Sequence, residues 1–526
     1  MIRQLPGRHG WQQFSDRLSA FRPGRAGTPV TGPLRPRFMP GVHGAPAPSR
    51  GGHADHLHPG AGLRDPLTPG ACGCCNLAAM PQLRSMPLLA CMMLACVLPA
   101  ATQAARTGNV RVSGHCLEDD GGPFLGLGVS YFTALRRCRS DRARLESDLA
   151  YLAGQGFNYF RMLSMVGYHG AWDGLEIAPV AFTSREGKEV EAWPDYWDQL
   201  RSLIDLAYDR FGMRTQITIF ADAQLMPRKA DRIAHMQHLL DRVIPGRVHK
   251  IILLEVANEA WQNGFPGDQG VADLRDFTHF LASRTDIPIA ITSHHHEGIE
   301  GFERLHAGAD ADIATWHFSR DRRPDDGWQP VYDCWDYALR PGFPPVSSNE
   351  PIGPGSSVAT EREPIKLVTA AAFAFAARLP MYVFHTGAGV FGNSRFEEMP
   401  AIDRFHNLAR ILPADLPNWE RNDGSNPQAP PPLIARTQSD RDRPADEAPR
   451  TGCVRIISST RGNRFVVLPI GIFPGGLELQ AGANLDFTAY HPLTGEPVRA
   501  VNLKAHERIV LHGTPEALII QGRTQP

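Results

Sequence analysis

The sequence has 526 residues, of which 42% are hydrophobic and 21% are charged, close to the usage of ordinary globular proteins. This composition excludes a wholly disordered chain, a fibrous repeat and a multispanning membrane protein, and the length predicts roughly three domains at about 150 residues each. With 54 Lys and Arg against 55 Asp and Glu, the net charge of -1 provides no global attraction to nucleic acid or to an anionic membrane.

Residues 1–79 are predicted to be disordered. They contain nine Arg and three Asp but neither Glu nor Lys, and they show no helical or alternating hydrophobic period. Burial therefore cannot offset the chain entropy of this segment. A basic tail that binds nucleic acid is the functional alternative. We prefer an over-extended gene start, because an export signal follows directly.

Residues 80–104 have the features of a signal peptide. Arg84 supplies a positive charge, Met86 to Val97 is apolar, and the segment ends in small residues, as a signal peptidase site does. The apolar run is shorter than the about 20 residues that span a bilayer, so we expect export to the periplasm or the cell exterior and no membrane span. Cys91 and Cys96 lie in lipobox-like sequences, which leaves a lipid-anchored mature form open.

Four cysteines lie beyond this signal: Cys116, Cys138, Cys334 and Cys453. An exported chain permits disulfides, and four cysteines allow three full pairings between which the sequence does not choose. None of these cysteines has zinc-site spacing, so we predict no structural zinc.

Residues 105–412 alternate short apolar runs with amphipathic helical stretches, which is typical of βαβ units. The predicted helices include Asp141 to Ala153 and Asp195 to Phe211, each followed by a glycine. The predicted strands are Phe124 to Val129, Phe157 to Leu163, Arg214 to Phe220, Ile251 to Val256, Ile289 to Ser293, Ile313 to His317, Val346 to Ser348 and Met381 to His385. Eight strands over this length predict the α/β class and a (β/α)8 barrel. An open doubly wound sheet is less favoured, because no Gly-rich phosphate turn follows the first strand.

The C-terminal part of the chain differs in composition from the barrel. Residues 413–450 are rich in Pro, Asn and Asp and are predicted to form a linker. Residues 451–526 contain short strand-like runs separated by turn signals and are predicted to form a small β-sandwich.

Two predicted barrel strands end in a carboxylic acid. The fourth strand leads into Asn258-Glu259, and the seventh leads into Asn349-Glu350. Strand ends of this kind lie at the active-site mouth of a barrel. The alternative is that each Glu forms a surface ion pair.

These paired motifs resemble the clan A retaining glycoside hydrolases, the group of family-five-like cellulases. The resemblance covers the barrel and implies that Glu259 is the general acid/base and Glu350 the nucleophile, while Asn258 holds the sugar 2-hydroxyl. The C-terminal sandwich is similar to small β-domains that follow such barrels, some of them described as collagen-binding.

Cleavage of a glycosidic bond independently requires such a pair. One carboxylic acid protonates the leaving oxygen, and one carboxylate attacks or stabilises the oxocarbenium-like centre. A separation of about 5 to 5.5 Å gives retention of configuration, and about 6.5 to 9.5 Å gives inversion. We expect the close pair.

Three further residues follow from the resemblance. Arg161 matches an arginine that the clan places beneath the nucleophile, although a structural salt bridge is an equal alternative. His317 matches the clan's histidine after the sixth strand, but Phe318 follows it where many relatives carry Tyr. His385 stands where many relatives carry a Trp platform, and this departure changes the expected sugar-binding surface.

Aromatic side chains near the strand ends are candidates for packing against sugar rings or for the loop core. They are Trp261, Trp316, Trp328, Trp335, Tyr168 and Trp172.

A metal-dependent barrel hydrolase is a competing hypothesis. Its candidate ligands are His294, His295, His296, Asp222, His317 and His385. Such sites normally begin with His-x-His on the first strand, where this sequence has Gly128-Val129-Ser130, so we predict neither a metal nor a cofactor.

The sequence therefore predicts an exported retaining glycosidase that acts on β-linked oligo- or polysaccharides and binds no nucleic acid. A non-catalytic carbohydrate-binding or adhesion protein is the alternative from another class. The sugar, the linkage, endo or exo action and the oligomeric state stay open.

Overall fold

The computed structural model describes residues 106–292, 298–317, 342–351, 353–355, 361–422, 431–436, 455–471, 473 and 475–526. The predictions for residues 1–105 lie outside this part of the chain, as do those for His294 to His296, Phe318, Trp328, Trp335, Cys334 and Cys453. Cys116 and Cys138 are buried free thiols. Among the described residues, no helix has the length and apolarity that crossing a membrane requires.

A small antiparallel sheet opens the described chain. Its strands are Arg111–Ser113 (β1), Cys116–Asp119 (β2) and Gly122–Phe124 (β3). The sequence prediction had assigned Phe124 to the first barrel strand, but Phe124 pairs with Leu117 of β2 instead. The apolar run continues from Phe124 into the barrel strand, so no change of pattern marks this boundary.

Eight parallel strands form the barrel. They are Gly126–Ser130 (β4), Tyr159–Leu163 (β5), Arg214–Phe220 (β8), Ile251–Ala257 (β9), Ile289–Thr292 (β10), Ala314–Trp316 (β11), Val346–Ser348 (β12) and Met381–Phe384 (β13). Between β5 and β8 the chain forms a separate short hairpin of Phe182–Thr183 (β6) and Glu189–Val190 (β7). The order in the sheet is β10-β9-β8-β5-β4-β13-β12-β11. A parallel bridge between Ala290 and Ile313 joins the two ends. The predicted (β/α)8 barrel is confirmed.

Helices alternate with these strands. They are Ala134–Ser140 (α1), Arg142–Gly154 (α2), Tyr196–Phe211 (α3), Lys229–Arg242 (α4), Gly267–Ala282 (α5), Gly298–His306 (α6), Pro364–Ala376 (α7), Gly387–Val390 (α8) and His406–Ile411 (α9). Helix α3 shows why the predicted boundaries match: its buried Leu200, Ile204 and Ala207 lie on one face, and Gly212 ends it in the left-handed conformation.

The described C-terminal strands form two antiparallel sheets. The strands are Glu420–Arg421 (β14), Leu433–Arg436 (β15), Arg455–Arg461 (β16), Arg464–Ile470 (β17), Leu477–Ala481 (β18), Leu485–Tyr490 (β19), Pro497–Leu503 (β20), Arg508–Leu511 (β21) and Ile519–Thr524 (β22). One sheet has the order β14-β16-β17-β22-β19-β20 and the other β15-β18-β21, which fits the predicted β-sandwich. Strands β14 and β15 come from the range predicted to be a linker.

Helix α7 is packed between the barrel and the sandwich. It contacts β13 of the barrel on one side and β16 and β17 of the sandwich on the other. Its residues from Leu367 to Ala376 are all buried, and Ser459 Oγ donates a hydrogen bond to the Ala376 carbonyl at 3.0 Å. A helix that is apolar on every face is stable in this position because both domains cover it.

The small N-terminal sheet covers the end of the barrel where the strands begin. Leu117 and Phe124 belong to one hydrophobic cluster with Tyr159, Ile252 and Met381, which lie at or next to the first residues of their strands. This sheet leaves the opposite end, where the strands finish, as the end that can hold a site.

A buried ion cluster fastens this sheet to the barrel. Asp119 Oδ2 accepts hydrogen bonds from Arg106 Nε at 2.9 Å and from Arg214 Nη1 at 2.8 Å. Burial alone would raise the pKa of Asp119, but the hydrogen bonds from the two arginines outweigh it and hold that pKa below its ordinary value.

We expect D119N to lower the free energy of unfolding by about 3 kcal/mol at pH 7, because Arg214 keeps its buried charge and loses its anionic partner. The pKa of Asp119 is depressed in the folded state, so its contribution is complete above the unfolded pKa and is lost as the pH falls through the folded value. Urea unfolding of both proteins should therefore give curves that converge below about pH 3.9. A difference that is independent of pH would contradict this account.

Candidate active site

The candidate residues converge where the barrel strands end. Arg161 lies within β5, and Glu259 and Glu350 each follow their strand, β9 and β12, by two residues. His317 comes directly after β11, and His385 comes directly after β13. The order of strands in the barrel thus collects side chains that are far apart in the sequence.

The two candidate carboxylates are close together. An oxygen of Glu259, an oxygen of Glu350 and a nitrogen of His317 all lie within 4.8 Å of one another. Glu350 is buried, whereas Glu259 is partly exposed. Oxygens of the two residues thus approach closely enough for the close carboxyl pair, about 5 to 5.5 Å apart, that retaining glycosidases use.

Arg161 is a fully buried cation that contacts three acceptors. Its Nη1 donates to Glu350 Oε1 at 2.6 Å, its Nε to Glu255 Oε2 at 2.9 Å and its Nη2 to Asn258 Oδ1 at 2.8 Å. Burial opposes the charge of Arg161, but the charges of Glu255 and Glu350 raise its pKa above the ordinary value. The guanidinium therefore stays protonated beside Glu350.

Sequence reasoning missed Glu255, the second carboxylate on this arginine. Glu255 is fully buried, and besides Arg161 it accepts hydrogen bonds from Thr218 Oγ1 at 2.6 Å and Asn349 Nδ2 at 2.7 Å. The available signal was a single charged residue within the otherwise apolar strand β9, because a buried charge requires a partner.

Two histidines contact the carboxylates. His317 Nδ1 lies 3.2 Å from Glu259 Oε1, and His317 Nε2 lies 3.3 Å from Glu350 Oε1. His385 Nε2 lies 3.8 Å from Glu350 Oε2, and His385 Nδ1 hydrogen-bonds Ser130 Oγ at 2.8 Å. Two imidazole groups thus lie beside Glu350: His317, which the resemblance implies, and His385, which stands where the resemblance implies Trp.

The backbone at Glu259 is unusual. Its φ of 40° is in the left-handed region, which non-glycine residues seldom occupy. Such strain persists only where the surrounding structure enforces it, and it is concentrated at functional sites. Gln262 Nε2 donates to Glu259 Oε2 and helps to orient the carboxylate.

A cavity of about 290 Å³ opens over these groups. The described residues lining it are Phe132, Leu163, Val166, His169, Ala171, Trp172, Ala221, Asp222, Asn258, Glu259, Gln262, Asn263, Glu350, Val390 and Phe391. Among the candidate aromatic residues, Trp172 lines the cavity. Trp316 is 4% exposed and packs edge-on against Phe302 in the core, and Trp261 is not among the described lining residues.

The residues fit a metal ion poorly. In the described part of the chain, the group that could supply three ligand atoms is Glu259, His317 and Glu350. The metal hypothesis had proposed His294, His295 and His296, which lie outside the described residues, together with Asp222, His317 and His385. Of these three described candidates, only His317 belongs to the group. Arg161 Nη1 already places a cation 2.6 Å from Glu350 Oε1, so a metal ion bound at this oxygen would be repelled.

No protein-family model matches the sequence, and no curated protein matches it. Among solved structures, the chain is similar to a glycoside hydrolase of family 5 from Bacteroides vulgatus ATCC 8482, with 13% identity and a TM-score of 0.54 over 79% of this chain and 94% of that one. It is also similar to a structure described as a glycoside hydrolase, with 12% identity and a TM-score of 0.52 over 80% of this chain and 97% of that one. These similarities show a shared fold.

We expect R161M to lower the free energy of unfolding by about 3 to 5 kcal/mol, because Glu255 would be buried without its cation. R161K keeps the charge but cannot donate to three acceptors in one plane, so its loss should be smaller. Urea unfolding monitored by circular dichroism measures both variants. Equal stability of R161M and the wild type would contradict a charged Glu255.

Proposed function

We propose that the chain is a retaining glycoside hydrolase that cleaves β-glycosidic bonds of an oligo- or polysaccharide. The observation that carries the proposal is the approach of Glu259 and Glu350 to within 4.8 Å at the mouth of the barrel. The shared fold with glycoside hydrolases supports it.

In the first step, Glu259 protonates the glycosidic oxygen and Glu350 attacks the anomeric carbon. The bond from that carbon to the leaving oxygen breaks, and an ester bond to Glu350 forms. Glu350 Oε1 is bound by Arg161, so Oε2 is the oxygen that we assign to the attack. Glu259 lies next to the open cavity, where a leaving sugar can reach it.

In the second step, Glu259 is a carboxylate and removes a proton from water. The water oxygen attacks the anomeric carbon, and Glu350 departs as a carboxylate with Arg161 stabilising its returning charge. His317 contacts both carboxylates and keeps their relative position through the two steps. Arg161 Nη2 donates a hydrogen bond to Asn258 Oδ1, so the Nδ2 group of Asn258 is the one that can donate to the sugar 2-hydroxyl.

We also propose that the protein is exported, because residues 80–104 have the features of a signal peptide. The lipobox-like sequences at Cys91 and Cys96 allow either a free or a lipid-anchored mature form. The likeness of the C-terminal sandwich to collagen-binding domains stays a prediction. Neither proposal affects the chemistry assigned to the barrel.

We expect residues 105–526 to hydrolyse at least one member of a panel of β-linked polysaccharides and aryl β-glycosides, with retention of the anomeric configuration. E350A should lower kcat by at least about 10⁴-fold, because the covalent intermediate cannot form. E259A should retain activity on aryl glycosides with acidic leaving groups, which need no protonation, and azide should accelerate it. Reducing-sugar release and proton NMR of the first-formed anomer give the two readouts.

The matched control is E118Q, a glutamate in an exposed ion pair with Arg111 on the N-terminal sheet, which should leave kcat unchanged. Inversion of configuration would contradict the double displacement. A chain that binds glycans unchanged in E259Q and E350Q but hydrolyses none would be the carbohydrate-binding protein of the alternative hypothesis.

The metal hypothesis makes a separate prediction. Because Arg161 already supplies the cation at Glu350, we expect kcat to stay within about twofold after dialysis against EDTA. A loss of activity that Zn²⁺ or Mn²⁺ restores would favour the metal-dependent hydrolase instead. The same hydrolysis assay measures both outcomes.

A further inference from the structure

Asp222 is a buried carboxylate in the cavity that the proposed reaction does not use. It follows β8 by two residues and is 3% exposed. Its Oδ2 accepts hydrogen bonds from the backbone N–H groups of Gly167 at 2.8 Å and Tyr168 at 3.0 Å. These two donors fix the carboxylate and leave Oδ1 as its remaining acceptor.

Asp222 differs from the other buried carboxylates of the described residues. Each of those lies within ion-pair distance of an arginine or a lysine: Asp119, Asp148, Glu255, Glu350, Glu361 and Glu478. Within the same described ranges, Asp222 has no such basic partner. Burial raises the pKa of Asp222, and its two backbone hydrogen bonds and the charge of His169 oppose that effect only in part. A buried carboxylate of this kind is costly unless a ligand satisfies it.

The surroundings of Asp222 suit a sugar ring. The amide side chain of Asn263 lines the same cavity, and the aromatic rings of Trp172, Phe391 and Phe132 line it as well. The Trp172 ring lies 5.8 Å from Phe391 and 6.5 Å from Phe132, between ring centroids. A pyranose has CH groups that pack on aromatic faces and hydroxyl groups that need polar partners, and this cavity offers both.

The charge of the cavity restricts the sugar further. The described lining residues include three carboxylates, Asp222, Glu259 and Glu350, one histidine, His169, and no lysine or arginine. Arg161 balances Glu350 from outside this lining, whereas Asp222 has no arginine or lysine within ion-pair distance among the described residues. A uronic acid or a sulfated sugar bound here would add a negative charge beside these carboxylates, which is unfavourable in a partly dehydrated site.

We propose that Asp222 is a sugar-binding residue whose Oδ1 accepts a hydrogen bond from a hydroxyl group of the glycan, and that the cleft selects uncharged sugars. This inference rests on the proposed glycosidase function, since it names the substrate class of the same cleft. Asp222 determines affinity and specificity, and it takes no part in bond cleavage.

The decisive variant is D222N. The backbone N–H groups of Gly167 and Tyr168 require an oxygen at the Oδ2 position, so asparagine must place its carbonyl there. Its NH₂ group then takes the place of Oδ1, and a hydrogen-bond donor replaces an acceptor. The loop remains anchored, the hydrogen bond that the sugar hydroxyl donates to Oδ1 is lost, and the hydroxyl must turn to accept from the NH₂ group instead.

The test measures binding without turnover. Isothermal titration calorimetry compares E350Q with E350Q/D222N, using cellohexaose, xylohexaose and mannohexaose as uncharged probes and hexagalacturonate as the anionic probe. We expect E350Q to bind an uncharged probe more tightly than hexagalacturonate, and D222N to raise its Kd about 10- to 100-fold. E350Q/W172A, which removes a partly buried aromatic ring of the same wall, should raise Kd on the order of tenfold.

The matched control is D312N in the same E350Q background. Asp312 also accepts a backbone hydrogen bond, from Ile289 N at 2.9 Å, but it precedes β11 and lies at the end of the barrel away from the cavity. D312N should leave Kd unchanged. Thermal unfolding of each variant separates a lost contact from a lost fold, and W172A tests the subsite even if D222N does not fold.

Equal Kd values for E350Q and E350Q/D222N with W172A also unchanged would overturn the proposal. So would tighter binding of hexagalacturonate, or no binding of any uncharged probe. Failure of the glycosidase function itself gives a different result: the wild type would hydrolyse nothing, while D222N would still weaken binding.

Discussion

The arrangement of the mouth depends on one buried cation, the guanidinium of Arg161. Its charge is balanced by Glu255 below and Glu350 above, each held by a direct hydrogen bond. A layer of charged and amide side chains therefore occupies the barrel interior where branched aliphatic residues are usual. Removing two or three charges from water is costly, and only hydrogen bonds to almost every polar atom make such a layer tolerable. The same requirement fixes the positions of the side chains that form it.

This layer also orients the two carboxylates that face the cavity. Both are preceded by an asparagine, and each asparagine points back into the layer: Asn258 accepts from Arg161, and Asn349 donates to Glu255. Each glutamate directly follows an asparagine that the layer holds, and the Glu350 carboxylate itself accepts a hydrogen bond from Arg161. At Glu259 this geometry includes a left-handed backbone. In each Asn-Glu motif the asparagine therefore has a structural role, because its hydrogen bond to the layer fixes the position of the glutamate that follows.

The sequence predicted the strands with little error because buried parallel strands are short apolar runs. The bounds of β8 and β12 match the prediction residue for residue. The N-terminal sheet escaped prediction because its last strand continues the apolar run of the first barrel strand. Contacts between distant residues that neither a strand end nor the resemblance indicated escaped it as well. Arg161 and Glu255 are 94 positions apart, and nothing local to either residue identifies the other. The hydrogen bond between Ser130 Oγ and His385 Nδ1 could not be predicted either, because these residues are 255 positions apart.

In the proposed glycosidase, the histidine after the last barrel strand changes where a sugar can pack. A tryptophan there would supply an apolar floor beside Glu350, the proposed nucleophile, whereas His385 is almost fully buried and hydrogen-bonds Ser130. The apolar surface that a pyranose needs must then come from another element. In the described cavity that surface consists of Trp172, Phe391 and Phe132, with Trp172 contributed by the loop after β5. Because loops vary more freely than barrel strands, an aromatic wall on a loop would let the proposed sugar site change while the charged layer that supports the carboxylates stays the same.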